Sequence, residues 1–254
     1  MTRRLGVVVT GAGHGIGAAL AEAFAAAGGA RVVVNDLDAE AAAAVAERIG
    51  GVAVPGDASR PEELITAARK ELGHIDVYCA NAGVAPVGGA DAGPAAWESA
   101  WQVNVLAHVR AAELLLPDWL ERGAGRFVAT VSAAGLLTSL GSAPYSVSKH
   151  GALAFAEWLS ATYRHRGVRV HAVCPQGVRT RMLEETGRAG QLLLADEALE
   201  PSVVAEEVMR GIAEERFLIL PHPEVARYYL ARAGDTDRWL GTMNRMQQRL
   251  EDEA

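Results

Sequence analysis

Short runs of β-branched and other apolar residues alternate along this chain with longer stretches rich in alanine and leucine. The short runs are Leu5 to Thr10, Arg31 to Asn35, Gly51 to Pro55, Ile75 to Cys79, Gly125 to Ser132, Val168 to Val173 and Arg216 to Leu220. Most are nearly continuous in apolar character, the pattern of strands covered on both faces. Between them the spacing predicts helices from the glycine turn to about Ala27, then over Asp38 to Ile49, Pro61 to Leu72, Pro94 to Glu121, Tyr145 to Arg166 and Pro201 to Glu214. Two more helical patterns, Pro223 to Ala233 and Asp235 to Leu250, form a tail over 221–254. Asp38 is placed to cap its helix, and Ser59 with Glu62 has the form of a capping box ahead of Pro61. Strand–helix alternation of this kind predicts an α/β fold: a doubly wound parallel sheet of about seven strands, helices on both faces, in a single domain over 1–254. The segment 181–200 is left as a lid over the carboxyl ends of the strands.

Composition narrows the function classes. A chain of 254 residues, 50 % hydrophobic and 22 % charged, is long enough for one large core. Its net charge of −7 offers no basic surface to nucleic acid and disfavours an anionic membrane. No stretch has the length of a bilayer span, and MTRRLGVVVTGAG lacks the length and cleavage site of a signal peptide. Cys79 and Cys174 each close an apolar run, so both are read as buried thiols of a cytoplasmic protein. The seven histidines follow no metal-ligand spacing, and no metal is expected.

The first strand breaks into Gly11-Ala12-Gly13-His14-Gly15-Ile16-Gly17, and a helix follows. A glycine turn at a strand-to-helix junction lets main-chain N–H groups and the helix N-terminus face a pyrophosphate. Position 16 is Ile, so the pattern is G-x-x-x-G-x-G through Gly11, Gly15 and Gly17. Asp36 closes the second strand 19 residues after Gly17, the arrangement of a Rossmann-type dinucleotide site. A carboxylate there accepts from both hydroxyls of the adenosine ribose and repels a 2′-phosphate. Leu37 follows it and His14 occupies the variable turn position, with no fixed cation nearby. NAD is therefore favoured over NADP.

A second cluster lies further on. Ser132 ends the fifth strand, and Tyr145 follows 13 residues later at the start of a helix. Lys149, four residues beyond, shares its face. A lone Y-x-x-x-K usually marks a packed tyrosine and a solvated lysine. Together with Ser132 it has a chemistry: a nearby ammonium favours the phenolate, lowering a tyrosine pKa that is otherwise about 10. Ser132 can hold a substrate oxygen while Tyr145 takes or gives its proton.

With these residues placed, the chain resembles the short-chain dehydrogenase/reductase family in its shorter subtype, over about Leu5 to Leu220. TGAGHGIG matches the T-G-x-x-x-G-x-G cofactor loop, and ANAG at 80–83 matches N-N-A-G except for Ala80. The resemblance implies a catalytic tetrad of Asn104, Ser132, Tyr145 and Lys149, with Asn104 holding a water that links Lys149 to solvent. It implies cofactor contacts from Gly11, His14, Gly15, Ile16, Gly17 and Asp36, from Asp57 and Ala58 near the adenine, and from Asn81, Ala82 and Gly83. Tyr145 and Lys149 join that set, with Pro175, Gly177, Val178 and Thr180 at the nicotinamide. In this sequence the last turn reads CPQGVRT, with Gln176 between Pro175 and Gly177.

The activity implied is NAD-dependent interconversion of a secondary alcohol and its ketone. The loops 84–95, 133–143 and 181–200 carry Val84, Val87, Leu136, Leu137, Leu140, Met182, Leu183 and Leu192, so a small hydrophobic alcohol or ketone is expected. Two other readings stand beside it. A 3-oxoacyl-thioester reductase on the same scaffold usually takes NADPH, which Asp36 opposes. A non-catalytic NAD-binding protein predicts a damaged tetrad, and every position is filled. Trp101, Leu114, Leu115, Phe155, Trp158 and Leu159 spread apolar surface round two helices, and in the family that helix pair packs against a twofold mate. A homotetramer is expected, with a dimer second. The tail, with Tyr228, Trp239 and Leu240, either reaches a neighbouring subunit or closes the substrate pocket.

Overall fold

The computed structural model describes residues 4–185, 194–195 and 197–252. Seven parallel strands lie in the order β3-β2-β1-β4-β5-β6-β7. They are β1 (Leu5–Thr10), β2 (Ala30–Asn35), β3 (Val52–Ala53), β4 (Val77–Ala80), β5 (Gly125–Thr130), β6 (Val168–Val173) and β7 (Leu218–Ile219). The first helices are α1 (Gly15–Ala26), α2 (Ala39–Ile49), α3 (Pro61–Leu72), α4 (Pro94–Trp101) and α5 (Ala107–Arg122). After β5 come α6 (Ala134–Leu137), α7 (Ala143–Tyr163) and α8 (Arg181–Glu184), then the helix Pro201–Ala213 and tail helices Glu224–Gly234 and Thr236–Asp252. No helix among the described residues is long and apolar enough to cross a membrane.

Successive side chains of a strand point to opposite faces, and both faces here are apolar. Val8, Val33, Tyr78 and Phe127 enter one layer with Leu115, Trp119 and Leu159. Val7, Val9, Val32, Val34 and Cys79 enter the other with Leu20, Phe24, Val204 and Val208. This is why the strand runs read as continuous. At the amino ends of the central strands, away from the glycine turn, Asp76 pairs with Arg122 at 3.0 Å and accepts from Gly6 N at 2.8 Å.

The order reverses between β1 and β4. The chain builds outward from β1 to β3, then crosses back to β4, leaving a crevice beyond the carboxyl ends of these two strands. The expected strands and helices all form, but three local expectations are corrected. Asp38 does cap α2 through Ala41 N, whereas the capping box at Ser59 does not form. Asp57 Oδ1 accepts from Ser59 N at 2.8 Å, and α3 starts after Arg60 with Pro61 in its first turn. The single helix expected over Pro94 to Glu121 is divided by a π-helical turn, Gln102–Leu106, that contains Asn104. Finally, the loop expected after Ser132 opens with the one-turn helix α6.

Candidate active site

The crevice is sewn together by three polar side chains at the strand ends. Thr10 Oγ1 accepts from the N–H groups of Asn81 and Ala82, both at 3.0 Å. Asn81 Nδ2 donates to Thr10 O at 2.9 Å and Gly11 O at 3.1 Å, while its Oδ1 accepts from Thr130 Oγ1 at 3.0 Å. The ends of β1, β4 and β5 are thereby joined, and the glycine turn inherits their rigidity. Asn81 thus acts on the turn from below, through main-chain carbonyls. Thr10 heads the TGAGHGIG motif, but its part in joining the strand ends was not legible in the sequence.

The turn has room only for glycine. A Cβ on Gly17 would lie 2.1 Å from Gly11 O, and one on Gly11, where φ is +60°, 2.9 Å from Ala82 Cα. A Cβ on Gly15 would meet Thr180 Cγ2 at 2.9 Å, so Thr180 stands across the crevice from the turn. Asp36 Oδ2 accepts from Gly13 N at 2.8 Å and its Oδ1 from Asp38 N at 3.0 Å. The carboxylate is fixed at the tip of β2 beside the turn. His14 Nε2 lies 3.5 Å from Asp38 Oδ2. Asp57 is exposed and Ala58 is buried beside it. These features fit a dinucleotide: side-chain-free backbone beside a helix N-terminus, with a fixed carboxylate one strand away.

On the other side of the crevice, Ser142 caps α7 by accepting from Tyr145 N at 3.4 Å, and Pro144 sits in the first turn. That start places Tyr145 and Lys149 on the face toward β5. The Tyr145 hydroxyl lies close enough to Ser132 for the serine to favour its ionised form. Lys149 Nζ lies 5.6 Å from the Tyr145 ring centroid and donates to Thr130 O at 3.0 Å. A Cβ on Gly83 would meet Asn104 Oδ1 at 3.1 Å and Lys149 Nζ at 3.4 Å, so Asn104 and Lys149 flank the same glycine. The four residues of the expected tetrad converge, from the segment after β5, from α7 and from the π turn.

Two features of the geometry bear on the expected roles. Asn104 Oδ1 accepts from Val84 N at 3.0 Å, and Nδ2 donates to Val84 O at 2.9 Å and Ser148 Oγ at 3.0 Å. Its side chain is thus committed to holding the 84–93 loop and α7. Ser148, which also donates to Tyr145 O at 3.0 Å, went unnoticed in the sequence, although it shares the tyrosine's helix. Second, burial dominates the electrostatics. It raises the Tyr145 hydroxyl above its ordinary pKa, with Ser132 pulling the other way. The expected lowering by Lys149 is not found. Its ammonium is directed at Thr130 O, and burial lowers its own pKa to about 8.

The substrate-side expectations are partly corrected. Leu136 and Leu137 are packed into the core, because Ser132 Oγ accepts from Ala134 N and starts α6 with these side chains turned inward. Leu140, Met182 and Leu183 are half-buried on the segments that follow Ser132 and Thr180. Leu192 lies outside the described residues, with the rest of 186–193 and residue 196 of the expected lid. Pro175 and Val178 are buried, and a Cβ on Gly177 would meet Leu194 O at 2.2 Å. The tail packs on its own chain: Tyr228 and Trp239 meet at 6.4 Å against the core. Arg232 donates to Leu136 O and, at 3.1 Å, to His150 Nε2.

Fold and site together define a Rossmann-type α/β protein with a serine–tyrosine–lysine cluster at the edge of a dinucleotide crevice. A family model for short chain dehydrogenase matches residues 6–190. The chain is 37 % identical to 1-deoxy-11-beta-hydroxypentalenate dehydrogenase of Streptomyces exfoliatus, an alignment covering 85 % of this chain and 82 % of the relative. Among solved structures, a short-chain dehydrogenase/reductase from Burkholderia phymatum in complex with NAD superposes with a TM-score of 0.83 at 28 % identity, covering 92 % of this chain and 95 % of that one. A short-chain dehydrogenase from Sphingobium yanoikuyae in complex with NADPH gives 0.79 at 27 % identity, covering 92 % and 94 %. The chain belongs to the short-chain dehydrogenase/reductase family of oxidoreductases.

Proposed function

We propose that this protein is an NAD-dependent dehydrogenase that interconverts a hydrophobic secondary alcohol and its ketone, with Tyr145 as general acid/base. The observation that carries the reading is the convergence of Ser132, Tyr145 and Lys149 beside the glycine turn. In the oxidative direction Ser132 orients the substrate hydroxyl, and Tyr145 takes its proton. Ser132 also stabilises charge that develops on that oxygen. Lys149 supplies a fixed positive charge beneath the tyrosine and a donor toward the nicotinamide ribose. The glycine turn and Asp36 hold the adenosine half, and Pro175, Gly177, Val178 and Thr180 face the nicotinamide half. The bound nicotinamide supplies the hydride acceptor for oxidation and, reduced, the donor for the reverse reaction.

Asp36 supports NAD over NADP, because its carboxylate is held beside Gly13, where a 2′-phosphate would be repelled. One structural neighbour is a complex with NAD and another with NADPH, so this preference rests on Asp36. The hydroxylated substrate in the name of the Streptomyces relative supports the alcohol class. Buried, unpaired Cys79 and Cys174 suit a reducing cytoplasm. A twofold-symmetric assembly is supported by the surface of α4 and α7. Leu115 and Leu159 turn inward, but Trp101, Val147 and Trp158 stay 42 %, 50 % and 54 % exposed. Trp101 and Val147 also line a groove of about 550 Å³ between the two helices. We favour a tetramer. The test is a screen of apolar secondary alcohols with NAD and NADP, read at the absorbance of reduced nicotinamide. Turnover that survives Tyr145→Phe would overturn the assignment.

A further inference from the structure

One peptide unit near the active site is gripped at both ends. The carbonyl of Pro175 accepts from Ala133 N at 2.7 Å. The N–H on the other end of that peptide, at Gln176, donates to Nδ1 of His222 at 3.1 Å. A peptide unit is planar and stiff, so the two bonds act on a single plate. Ala133 is the neighbour of Ser132, and the plate opens the turn that ends at Thr180. His222 is only 3 % exposed. Its own carbonyl accepts from Val225 N at 3.1 Å, where the tail helix Glu224–Gly234 begins. An N–H facing Nδ1 requires that nitrogen to be the acceptor, so Nε2 carries the proton. Burial favours this neutral ring, against the opposing pull of Glu224 and Glu197. The turn is held separately on its far side, by Leu199 N to Gly177 O at 3.0 Å and Arg179 N to Leu199 O at 2.9 Å.

We propose that His222 is a positioning residue for the nicotinamide half of the site: through the Pro175–Gln176 peptide it sets both the cofactor-facing turn and the backbone beside Ser132. The inference rests on the dinucleotide reading above. It gives the tail a role within its own subunit, because the ring that fixes the turn comes from the segment leading into the tail.

Two substitutions separate this role from simple packing. In His222→Asn the side-chain oxygen stands where Nδ1 stands, so an acceptor is kept. His222→Leu puts a methyl there and strands the Gln176 N–H. Affinities of the full chain for NADH and for ADP-ribose, which lacks the nicotinamide, are measured by titration calorimetry. His222→Leu is expected to weaken NADH by about tenfold, the effect of one stranded buried donor, with ADP-ribose unchanged. His222→Asn is expected to stay within about threefold of the wild type, a residual below that of one lost hydrogen bond. If His222→Leu fails to fold, His222→Ala removes the acceptor equally and takes its place. Equal weakening of both ligands, an unchanged NADH affinity, or an Asn variant as weak as the Leu variant would overturn the proposal. A wild-type chain that binds neither ligand would overturn the dinucleotide reading and this inference with it. Wild-type binding without nicotinamide selectivity in the variants overturns this inference alone.

Discussion

Lys149 should make the protein less stable than it could be. The residue is 3 % exposed, and its ammonium donates to Thr130 O. Burial lowers its pKa from 10.5 to about 8. At about 1.4 kcal/mol for each pKa unit, keeping the group charged at neutral pH costs the folded state about 3 kcal/mol. Lys149→Met keeps the length of the side chain and removes the charge. It also strands the Thr130 carbonyl, which offsets the gain by about 1 kcal/mol. The variant is therefore expected to be more stable than the wild type by about 2 kcal/mol at pH 7, while losing turnover. The sign with pH follows from the depressed value. Below pH 8 both folded and unfolded chains carry the proton, and the full penalty applies. Between about 8 and 10.5 the unfolded chain binds more protons, so wild-type stability rises relative to the variant. The gap should shrink by about 2 kcal/mol between pH 7 and about 9.5. Urea unfolding of both proteins, without nucleotide, at the two pH values measures it. A Met variant less stable at pH 7, or a gap independent of pH, would refute the reasoning.

Further outcomes are expected elsewhere in the site. Tyr145→Phe should abolish turnover with NADH affinity within about twofold of the wild type, since the lost hydroxyl serves the substrate oxygen; calorimetry alongside rate measurements checks this. Because burial raises the Tyr145 pKa and oxidation needs its basic form, kcat/KM for alcohol should climb from pH 7 to about 10, and a plateau already reached at pH 7 would contradict the assignment. Asp36→Ala should narrow the NAD-over-NADP ratio by at least about tenfold, about 1.4 kcal/mol, in parallel kinetics with the two cofactors. Gly17→Ala, whose Cβ would lie 2.1 Å from Gly11 O, should destabilise the protein by about 1–3 kcal/mol and remove dinucleotide binding, as seen by thermal melting and calorimetry. Light scattering at micromolar concentration should give a multiple of 26.7 kDa; Trp101→Glu with Trp158→Glu should reduce it.

Some parts of the molecule were legible in the sequence because their causes are local. Apolar runs buried on both faces marked the strands, and the glycines at 11, 15 and 17 mark a backbone that no Cβ can enter. Tyr145 and Lys149 are brought together by helical spacing alone, and Asp38 caps its own helix three residues on. What tertiary structure decided depends on partners far apart in the chain. Resemblance alone marked Asn104 in the sequence; its partners, Val84, 20 residues away, and Ser148, 44 away, came from the fold. Leu136 and Leu137 had the composition of a pocket lining, and their direction was settled only by the turn that Ser132 begins. The pKa of Lys149 follows from its depth beneath α7, a property of the assembled layers, and not from the spacing that places it near Tyr145. His222 carried no sequence signal, because its partner is a main-chain N–H 46 residues away, and a main-chain group has no residue type to read.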